Sequence, residues 1–403
     1  MTDTSPGNLH VLIIGGGIGG LCLAQGLRKA GIGVAVYERD PSRYFRGQGW
    51  RISLKEHGTS ALRACLPEPL FELCAATAIR SATRMAFLDH RLTPKFQKPI
   101  PPFPHDRVFG VNRLTLREIL LAGLDDVVHF GKEFVRYEQT ADGRVRAHFA
   151  DGTSATGDLL VGADGTGSAV RRILLPHAEV DDIGTFIYGR TPIAPGMLDW
   201  VPEILVDSFN RLIAPDGAAM SVVTCRPREP VPAAVARLAP GVRLTPVPDY
   251  FAWMVSYHDG AGWTVGSHPE LRQADGRTLH RIAQQTIKDF HPLVRRIVDE
   301  ADADATFAAG LRTARPVDPW PTTNVTLLGD AIHSMSPGRG EGANTALRDA
   351  ALLTGALAGV AAGREPLLDA VRRYEAEMLR YGFQAVAASL DKPFLPRPQP
   401  GRS

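Results

Sequence analysis

The sequence predicts an α/β protein in which a parallel-sheet domain is interrupted by a sheet-rich insertion and followed by a helical C-terminal region. Three observations support this fold class. A glycine-rich turn joins an apolar strand to an apolar-periodic helix near the N-terminus. Alternating, strand-like segments fill the middle of the chain, and a second glycine-rich loop leads into a long helix near the C-terminus.

Composition excludes several classes of protein. The chain has 403 residues, 44% hydrophobic and 22% charged, with a net charge of +2, which is typical of a globular protein without a basic nucleic-acid surface. The polar N-terminus does not resemble a signal peptide, and the weakly polar run 350–363 is too short to span a bilayer. The four cysteines lack metal-ligand spacing. We therefore expect a cytoplasmic monomer or dimer that binds no metal, nucleic acid or membrane.

The first elements in order form a βαβ unit. Residues 11–14 are an apolar strand, residues 19–30 an apolar-periodic helix that stops at a glycine pair, and residues 34–37 a second strand. Two strands that flank a helix in this way pair in parallel in one sheet.

The next elements are less regular. After a proline-rich segment, residues 113–124 are predicted to form a helix with Asn112 as its N-cap. Two Asp-Gly turns then indicate hairpins that lead to a buried strand at 158–162. Antiparallel strands are expected at 185–190, 219–225 and 251–257, and a parallel strand at 324–328.

The first motif is Gly15-x-Gly17-x-x-Gly20, at the turn between the first strand and its helix. Gly15 permits a tight turn, Gly17 lets a pyrophosphate approach the backbone, and Gly20 allows close packing of helix on strand. Glu38 ends the second strand, where its carboxylate can accept hydrogen bonds from the ribose hydroxyls of an adenosine. The segment predicts a dinucleotide site.

Two further motifs lie downstream. Asp164, in GADG, follows a buried strand, although this pattern alone is also typical of an ordinary turn. Asp330, in GDAIH, ends a strand, where a carboxylate can hold a polyol hydroxyl. Gly338, Gly340 and Gly342 then let a loop lie flat against a ring, and the following helix N-terminus would stabilise negative charge on that ring.

Together and in this order, the three motifs resemble the single-component FAD-dependent aromatic hydroxylases, which include para-hydroxybenzoate hydroxylase, salicylate hydroxylase and the tetracycline-inactivating monooxygenases. The resemblance extends in layout over about residues 11–374 and is specific at the flavin-binding segments. It implies a Rossmann-like FAD-binding fold, FAD as cofactor, and NADPH or NADH as co-substrate.

The resemblance also implies roles for individual residues. Asp330 would hold the ribityl chain, and residues 342–344 would hold the isoalloxazine edge. Arg113 matches a family arginine that contacts FAD, with Arg117 one turn on as the alternative. The candidate cofactor-binding residues are Gly15, Gly17, Gly20, Glu38, Arg39, Arg51, Arg113, Asp164, Asp330, Gly342, Ala343 and Asn344.

The candidate catalytic residues are fewer. Pro337 occupies the position of the family's proline beside the reacting face of the flavin. Tyr188 and Arg190 on one predicted strand are expected to assist the substrate, and Arg211 could face it too, although all three could instead form an exposed face of the sheet. His333 fits a structural hydrogen-bonding role better than a catalytic one.

The implied reaction follows from the family's cycle. NAD(P)H reduces FAD, oxygen adds to give a flavin hydroperoxide, and one oxygen atom passes to an electron-rich carbon. No second glycine fingerprint follows another strand, which disfavours the two-domain Baeyer–Villiger type. We expect an NAD(P)H-consuming monooxygenase, a hydroxylase or epoxidase, that uses O2 on an aromatic or polyene small molecule of secondary metabolism.

Other functions of the same fold stay open. An FAD-dependent oxidase or dehydrogenase is the main alternative. A flavin-dependent halogenase is disfavoured because the chain lacks a WxWxIP stretch. A regulatory flavin-binding protein is the third possibility, and NAD(P)H consumption together with peroxide release would separate these classes.

The predicted domains are discontinuous. Residues 1–75, 105–182 and 310–390 would form the FAD-binding domain, and residues 76–104 and 183–309 the substrate-binding domain. Residues 391–403, which are rich in proline, are predicted to be a flexible tail.

Overall fold

A computed structural model describes residues 9–43, 51–102, 104, 106–256 and 269–391. The predicted tail beyond residue 391 and the last residue of the strand predicted at 251–257 lie outside these ranges. In chain order the strands are β1 His10–Ile14, β2 Gly33–Glu38, β3 Arg51–Leu54, β4 Arg84–Asp89, β5 Pro94–Pro99, β6 Phe109–Asn112, β7 Val128–Phe130, β8 Phe134–Gln139, β9 Val145–Phe149, β10 Ser154–Gly157, β11 Leu159–Gly162, β12 Val180–Pro192, β13 Ser208–Ile213, β14 Ala219–Cys225, β15 Tyr250–Ser256, β16 Phe307–Ala314 and β17 Val325–Leu327.

The helices alternate with these strands and dominate the C-terminal region. They are α1 Ile18–Lys29, α2 Glu56–Cys65, α3 Glu68–Ala76, α4 Arg113–Leu121, α5 Ala169–Leu174, α6 Met197–Trp200, α7 Val231–Leu238, α8 Gly276–Thr286, α9 Pro292–Asp299, α10 Asp330–His333, α11 Gly342–Ala361 and α12 Leu367–Asp391. Among the described residues, no helix combines the length and the apolar composition that a membrane crossing requires.

A five-stranded parallel sheet forms the centre of the first layer, in the order β17-β11-β1-β2-β7. Its central strands are almost continuously apolar and buried, as expected for a parallel sheet covered on both faces. β1 pairs with β2 on one side and with β11, some 150 residues later, on the other. The predicted βαβ unit and the predicted parallel strand near residue 325 are confirmed.

Helices α1 and α11 pack closely because α1 carries glycines on the shared face. A Cβ on Gly19 would lie 3.2 Å from Ala346 Cβ, and a Cβ on Gly26 would lie 2.4 Å from the Thr354 hydroxyl oxygen. The C-terminal helix α11 is thereby fixed against the helix that follows the first glycine motif.

A seven-stranded sheet forms the second layer, in the order β16-β12-β15-β14-β13-β4-β5. Its pairs are antiparallel except β13 with β4, which run parallel. One face packs on α8 and α9 in an apolar cluster that includes Ile187, Leu212, Val222, Trp253, Leu279 and Ile297. The opposite face is turned toward β3 and β6, since Arg51 lies over the Phe209 ring and the Asn112 amide donates to the Tyr250 hydroxyl.

The described residues also form two smaller sheets. β3 and β6 form an antiparallel pair, and β8, β9 and β10 form the predicted hairpins with glycine turns. β12 and β16 of the second sheet both extend across the predicted boundaries at 182/183 and 309/310. Sheet membership alone does not assign these residues to a folding unit, so the discontinuous division into two domains stays a prediction.

Candidate active site

The first glycine turn has the shape that a pyrophosphate site requires. Gly15 adopts a φ of +111°, and a Cβ there would lie 2.4 Å from the carbonyl oxygen of Ala163. A Cβ on Gly20 would lie 2.2 Å from the Gly15 carbonyl oxygen. A Cβ on Gly17, in contrast, would meet no described atom within 4 Å, and no side chain caps the N-terminus of α1. The open space beside uncapped N–H groups fits a phosphate anion.

Glu38 is fixed at the edge of this turn. Its carboxylate accepts hydrogen bonds from the Gly16 N–H at 2.7 Å and from the Asp40 N–H at 2.9 Å, and the side chain is buried. These bonds orient the carboxylate at the end of β2, where the ribose was predicted. Arg39, the next residue, is exposed.

Asp330 is the first residue of α10. Its side chain is accessible to solvent, yet surrounding protein raises the pKa of its carboxyl above the usual value, while the charges of His333 and Arg113 oppose the shift. A group that is both accessible and surrounded lines a concave pocket. A Cβ on Gly342 would lie 3.7 Å from an Asp330 oxygen, so the predicted ribityl and ring segments are adjacent.

The two arginines of α4 have different surroundings. Arg117 donates from Nε to the Gly16 carbonyl at 3.3 Å and from an Nη to the Arg43 carbonyl at 2.8 Å, and it thereby supports the glycine turn. Arg113 lies close enough to Asp330 to lower the pKa of that carboxyl. Direct contact of either arginine with FAD stays a prediction. The predicted N-cap of this helix is confirmed, because the Asn112 side chain accepts from two N–H groups of the first turn.

The glycine-rich loop at residues 337–344 is hydrogen-bonded to the start of α2. The fully buried Asn344 side chain accepts from the Lys55 N–H at 2.8 Å and donates to the carbonyls of Ser53 and Gly340, each at 2.8 Å. Its polar atoms are therefore engaged with the backbone. The predicted contact of residues 342–344 with the isoalloxazine edge would therefore be made by their main-chain groups. Pro337 is exposed at the start of a 3₁₀ turn in the same loop.

Two other predicted cofactor residues make contacts that sequence reasoning did not anticipate. Asp164 supports the N-terminus of α5 beside the N-cap Ser168, since its carboxylate accepts from the Ser168 hydroxyl at 2.5 Å and the Ala169 N–H at 2.7 Å. Arg51 is directed at the seven-stranded sheet, where it donates to the Thr224 carbonyl at 3.3 Å and lies 4.7 Å over the Phe209 ring. Neither contact involves the first glycine turn, so a direct contact of these side chains with FAD stays a prediction.

A row of side chains crosses the face of the seven-stranded sheet that is turned toward β3 and β6. Strand register aligns one residue from each of five neighbouring strands, and residues directly opposite in a sheet share a face. In order across the sheet the row is Tyr188, Met254, Ser221, Arg211 and Phe87.

Arg211 is the buried cation of this row. Its guanidinium donates to the hydroxyls of Ser221 at 3.2 Å and Ser256 at 2.9 Å. Burial lowers the pKa of Arg211 to about 10, partly offset by Tyr188. Burial raises the pKa of Tyr188 to about 12, against the effect of Arg211, and the Tyr188 ring stacks on Phe307 at 5.4 Å between centroids.

Arg190, selected with Tyr188 from the sequence, forms an ion pair with Asp302 at 3.3 Å. Its guanidinium is thus committed at the edge of the face, whereas Arg211 sits close to Tyr188. An arginine inside the apolar strand SFNRLI was the available signal for Arg211, because such a position implies burial. The catalytic roles of Pro337, Tyr188 and Arg190 stay predictions.

His333 is fully buried, and its Nε2 lies 2.7 Å from an oxygen of Asp349. The hydrogen bond that a structural role requires is present, and the role itself stays a prediction.

Comparison with known proteins agrees with this geometry. A family model described as an FAD-binding domain matches residues 269–389, and one described as an NAD(P)-binding Rossmann-like domain matches residues 13–47. The FAD-dependent monooxygenase dbaB of Emericella nidulans is 32% identical over 375 residues, which cover 88% of each chain.

Other relatives are longer, and a solved structure is similar over almost its full length. The dual O-methyltransferase/FAD-dependent monooxygenase elcB of Phaeosphaeria nodorum is 33% identical over 389 residues, which are 89% of this chain but 41% of that protein. The chain thus spans less than half the length of its dual-function relatives. A crystal structure assigned as an FAD-containing monooxygenase from Photorhabdus luminescens is 32% identical, with a TM-score of 0.79 and coverage of 95% and 97% of the two chains.

Proposed function

The chain belongs to the FAD-dependent monooxygenases, and from this premise we propose that it uses NADPH or NADH to insert one oxygen atom of O2 into an electron-rich aromatic or olefinic carbon of a small molecule. NAD(P)H supplies two electrons, one oxygen atom is added to the substrate, and the other leaves as water. Bound FAD supplies the oxygen activation that side chains lack. The residues of this chain would contribute in two ways.

The first contribution of the protein is to hold FAD. The open space at Gly17, the oriented carboxylate of Glu38 and the accessible carboxylate of Asp330 would hold the pyrophosphate, ribose and ribityl groups in turn. The main chain of residues 342–344 would meet the ring edge at the N-terminus of α11, where the helix dipole favours negative charge.

The second contribution is to orient the substrate. The observation that supports this role is a buried arginine, Arg211, which lies near Tyr188 on the sheet face turned toward β3 and β6. A guanidinium in a low-dielectric site attracts an oxygen that bears negative charge, such as a phenolate. Ionisation of a phenol makes its ring carbons more nucleophilic, which suits attack by an electrophilic oxygen. The aromatic rings of Phe87 and Phe307 extend the same face and offer apolar surface to a planar ligand.

The dual-function relatives support the proposal that the substrate carries hydroxyl groups. Several combine the monooxygenase with an O-methyltransferase, an enzyme class that needs a hydroxyl oxygen as its acceptor. We therefore propose polyhydroxylated aromatic compounds of secondary metabolism as the first compounds to screen.

Labelled dioxygen tests the proposal. The purified protein is incubated with FAD, NADPH or NADH, and a panel of phenolic and polyene compounds, and the products are analysed by mass spectrometry. A substrate should accelerate NAD(P)H oxidation and gain one labelled oxygen atom. Oxygen derived only from water, or a desaturated product with stoichiometric peroxide, would instead establish the oxidase or dehydrogenase alternative.

A further inference from the structure

A fully buried hydrogen-bond network lies behind Asp330. Its centre is the Asp349 carboxylate on α11, which is inaccessible to solvent and accepts three hydrogen bonds. One donor is His333 Nε2 at 2.7 Å, and a second is the Gly329 N–H at 2.8 Å. The third is the hydroxyl of Tyr381 on α12. Gly329 and His333 belong to the short segment that contains Asp330, so the network fixes that segment against two long helices.

Helix α12 also fits closely over the imidazole. A Cβ on Gly382 would lie 2.6 Å from His333 Cδ2, so only a glycine lets the helix approach the ring this closely. Gly329, on the other side, has φ 64° and ψ −140°, a conformation that favours glycine. Both glycines are required for the geometry that places Asp330 at the end of its strand.

Acidic and basic groups surround Asp330. Burial alone lowers the pKa of His333, but the carboxylates of Asp349 and Asp330 raise it, and the net shift is upward. Protonated His333 would act with Arg113 to lower the pKa of Asp330 against the effect of its burial. Other titratable groups near this cluster are Arg171, which donates to the Ala331 carbonyl, Tyr374 with Glu375, and Tyr381 with Glu377 and Arg348, whose guanidinium lies 3.8 Å over the Tyr381 ring.

We propose that His333, Asp349 and Tyr381 are positioning residues that keep the Asp330 carboxyl ionised and oriented toward the polyol chain of FAD. The inference rests on the proposed role of Asp330 in FAD binding. His333 acts on Asp330 through its charge, and Asp349 and Tyr381 act by holding His333 and the turn at Gly329 in place. Helix α12, which carries Tyr381, thereby supports the cofactor site through Asp349 and His333.

Two tyrosines of α12 provide a matched comparison. Tyr381 and Tyr374 are both buried, lie two helical turns apart and each donate one hydrogen bond, but Tyr374 donates to the Leu327 carbonyl rather than to Asp349. Tyr381→Phe is expected to weaken FAD binding by about three- to tenfold, and Tyr374→Phe by much less. FAD affinity is measured on the full chain stripped of FAD, by quenching of flavin fluorescence, beside the melting temperature of each variant.

The pH dependence of FAD affinity separates a charge effect from loosened packing. In His333→Gln the Asp330 carboxyl loses a nearby cation, so its pKa rises and protonation occurs at higher pH. The pH at which FAD affinity falls on acidification should therefore move upward in this variant and stay in place in Tyr374→Phe. An unchanged midpoint in His333→Gln would contradict the proposal.

Asp330→Asn distinguishes failure of the inference from failure of its premise. If Asp330→Asn and Asp330→Ala leave FAD affinity unchanged, the proposed role of Asp330 is wrong and the inference falls with it. If these variants weaken FAD binding, Tyr381→Phe and His333→Gln should have little further effect in the Asp330→Asn background. If Tyr381→Phe and His333→Gln reduce FAD affinity equally in the wild-type and Asp330→Asn backgrounds, Asp330 still binds FAD. The proposal that the network acts through Asp330 is then wrong.

Discussion

Arg211 shows how burial changes what one side chain can do. Because the pKa of its guanidinium is lowered to about 10, the side chain is a cation at neutral pH and loses its charge above pH 10. Tyr188, whose pKa is raised to about 12, stays protonated over the same range. The pair therefore offers one positive charge and one hydroxyl donor to a ligand near neutral pH.

This charge gives a pH-dependent prediction. Arg211→Met is expected to raise KM for a phenolic substrate at pH 8 by about tenfold or more, from the loss of a charge-assisted hydrogen bond. The ratio of variant to wild-type KM should fall as the pH is raised through 10, because the wild-type guanidinium then loses its charge.

Arg190→Met is the control for Arg211→Met, since Arg190 lies on the strand of Tyr188 but pairs with Asp302. A larger loss in Arg190→Met than in Arg211→Met would reverse the assignment and restore the sequence-based choice.

The glycines of the first motif make a second prediction at the level of residues. Gly17→Val places its side chain in open space, so the melting temperature without FAD should change little while FAD binding is lost. Gly20→Val should destabilise the protein itself, because its Cβ would lie 2.2 Å from the Gly15 carbonyl oxygen. Thermal unfolding and FAD titration of both variants test this contrast. Full FAD occupancy in Gly17→Val would place the pyrophosphate elsewhere.

Among the elements, β12 is shaped by one glycine. A Cβ on Gly189 would lie 2.1 Å from Cζ2 of the buried Trp253, on the face that packs against α8 and α9. Gly189→Ala is expected to lower the free energy of unfolding by about 1–3 kcal/mol through overpacking. Gly241→Ala is the control, because a Cβ there meets no described atom within 4 Å. Urea unfolding measures both, and equal effects would contradict the packing argument.

Elements specified by neighbouring residues could be predicted from the sequence. The βαβ unit, the Asn112 cap and the glycine turns at Gly143 and Gly152 each depend on residues close together in the chain. The parallel pairing of β4 with β13 depends on residues more than 100 positions apart and has no local signal. The position of Arg211 near Tyr188 depends on three other strand registers, β13 with β14, β14 with β15, and β15 with β12. These registers could not be derived from the sequence, which is why it favoured Arg190, two residues from Tyr188.

At the scale of the whole molecule, the candidate FAD site joins distant parts of the chain. Gly17, Glu38 and Asp330 lie at or just beyond the ends of three strands, β1, β2 and β17, of one five-stranded sheet. FAD should therefore stabilise the complete fold, and saturation at about 100 times Kd should add about 2.7 kcal/mol to the free energy of unfolding. Thermal unfolding with and without FAD measures the gain. Asp330→Asn should show a smaller gain at the same FAD concentration, and an identical gain would count against a role for Asp330.

The position of β17 has a consequence for synthesis of the protein. This strand, residues 325–327, pairs with β11, and the adjoining α11 packs on α1. During translation the N-terminal βαβ unit leaves the ribosome about 300 residues before these partners, with its apolar face exposed. Such long-range closure is slow, and half-made chains are prone to aggregate. Capture of FAD must wait until Asp330 and α11 have emerged, so flavin supply and chaperone occupancy at that stage should govern the yield of active protein.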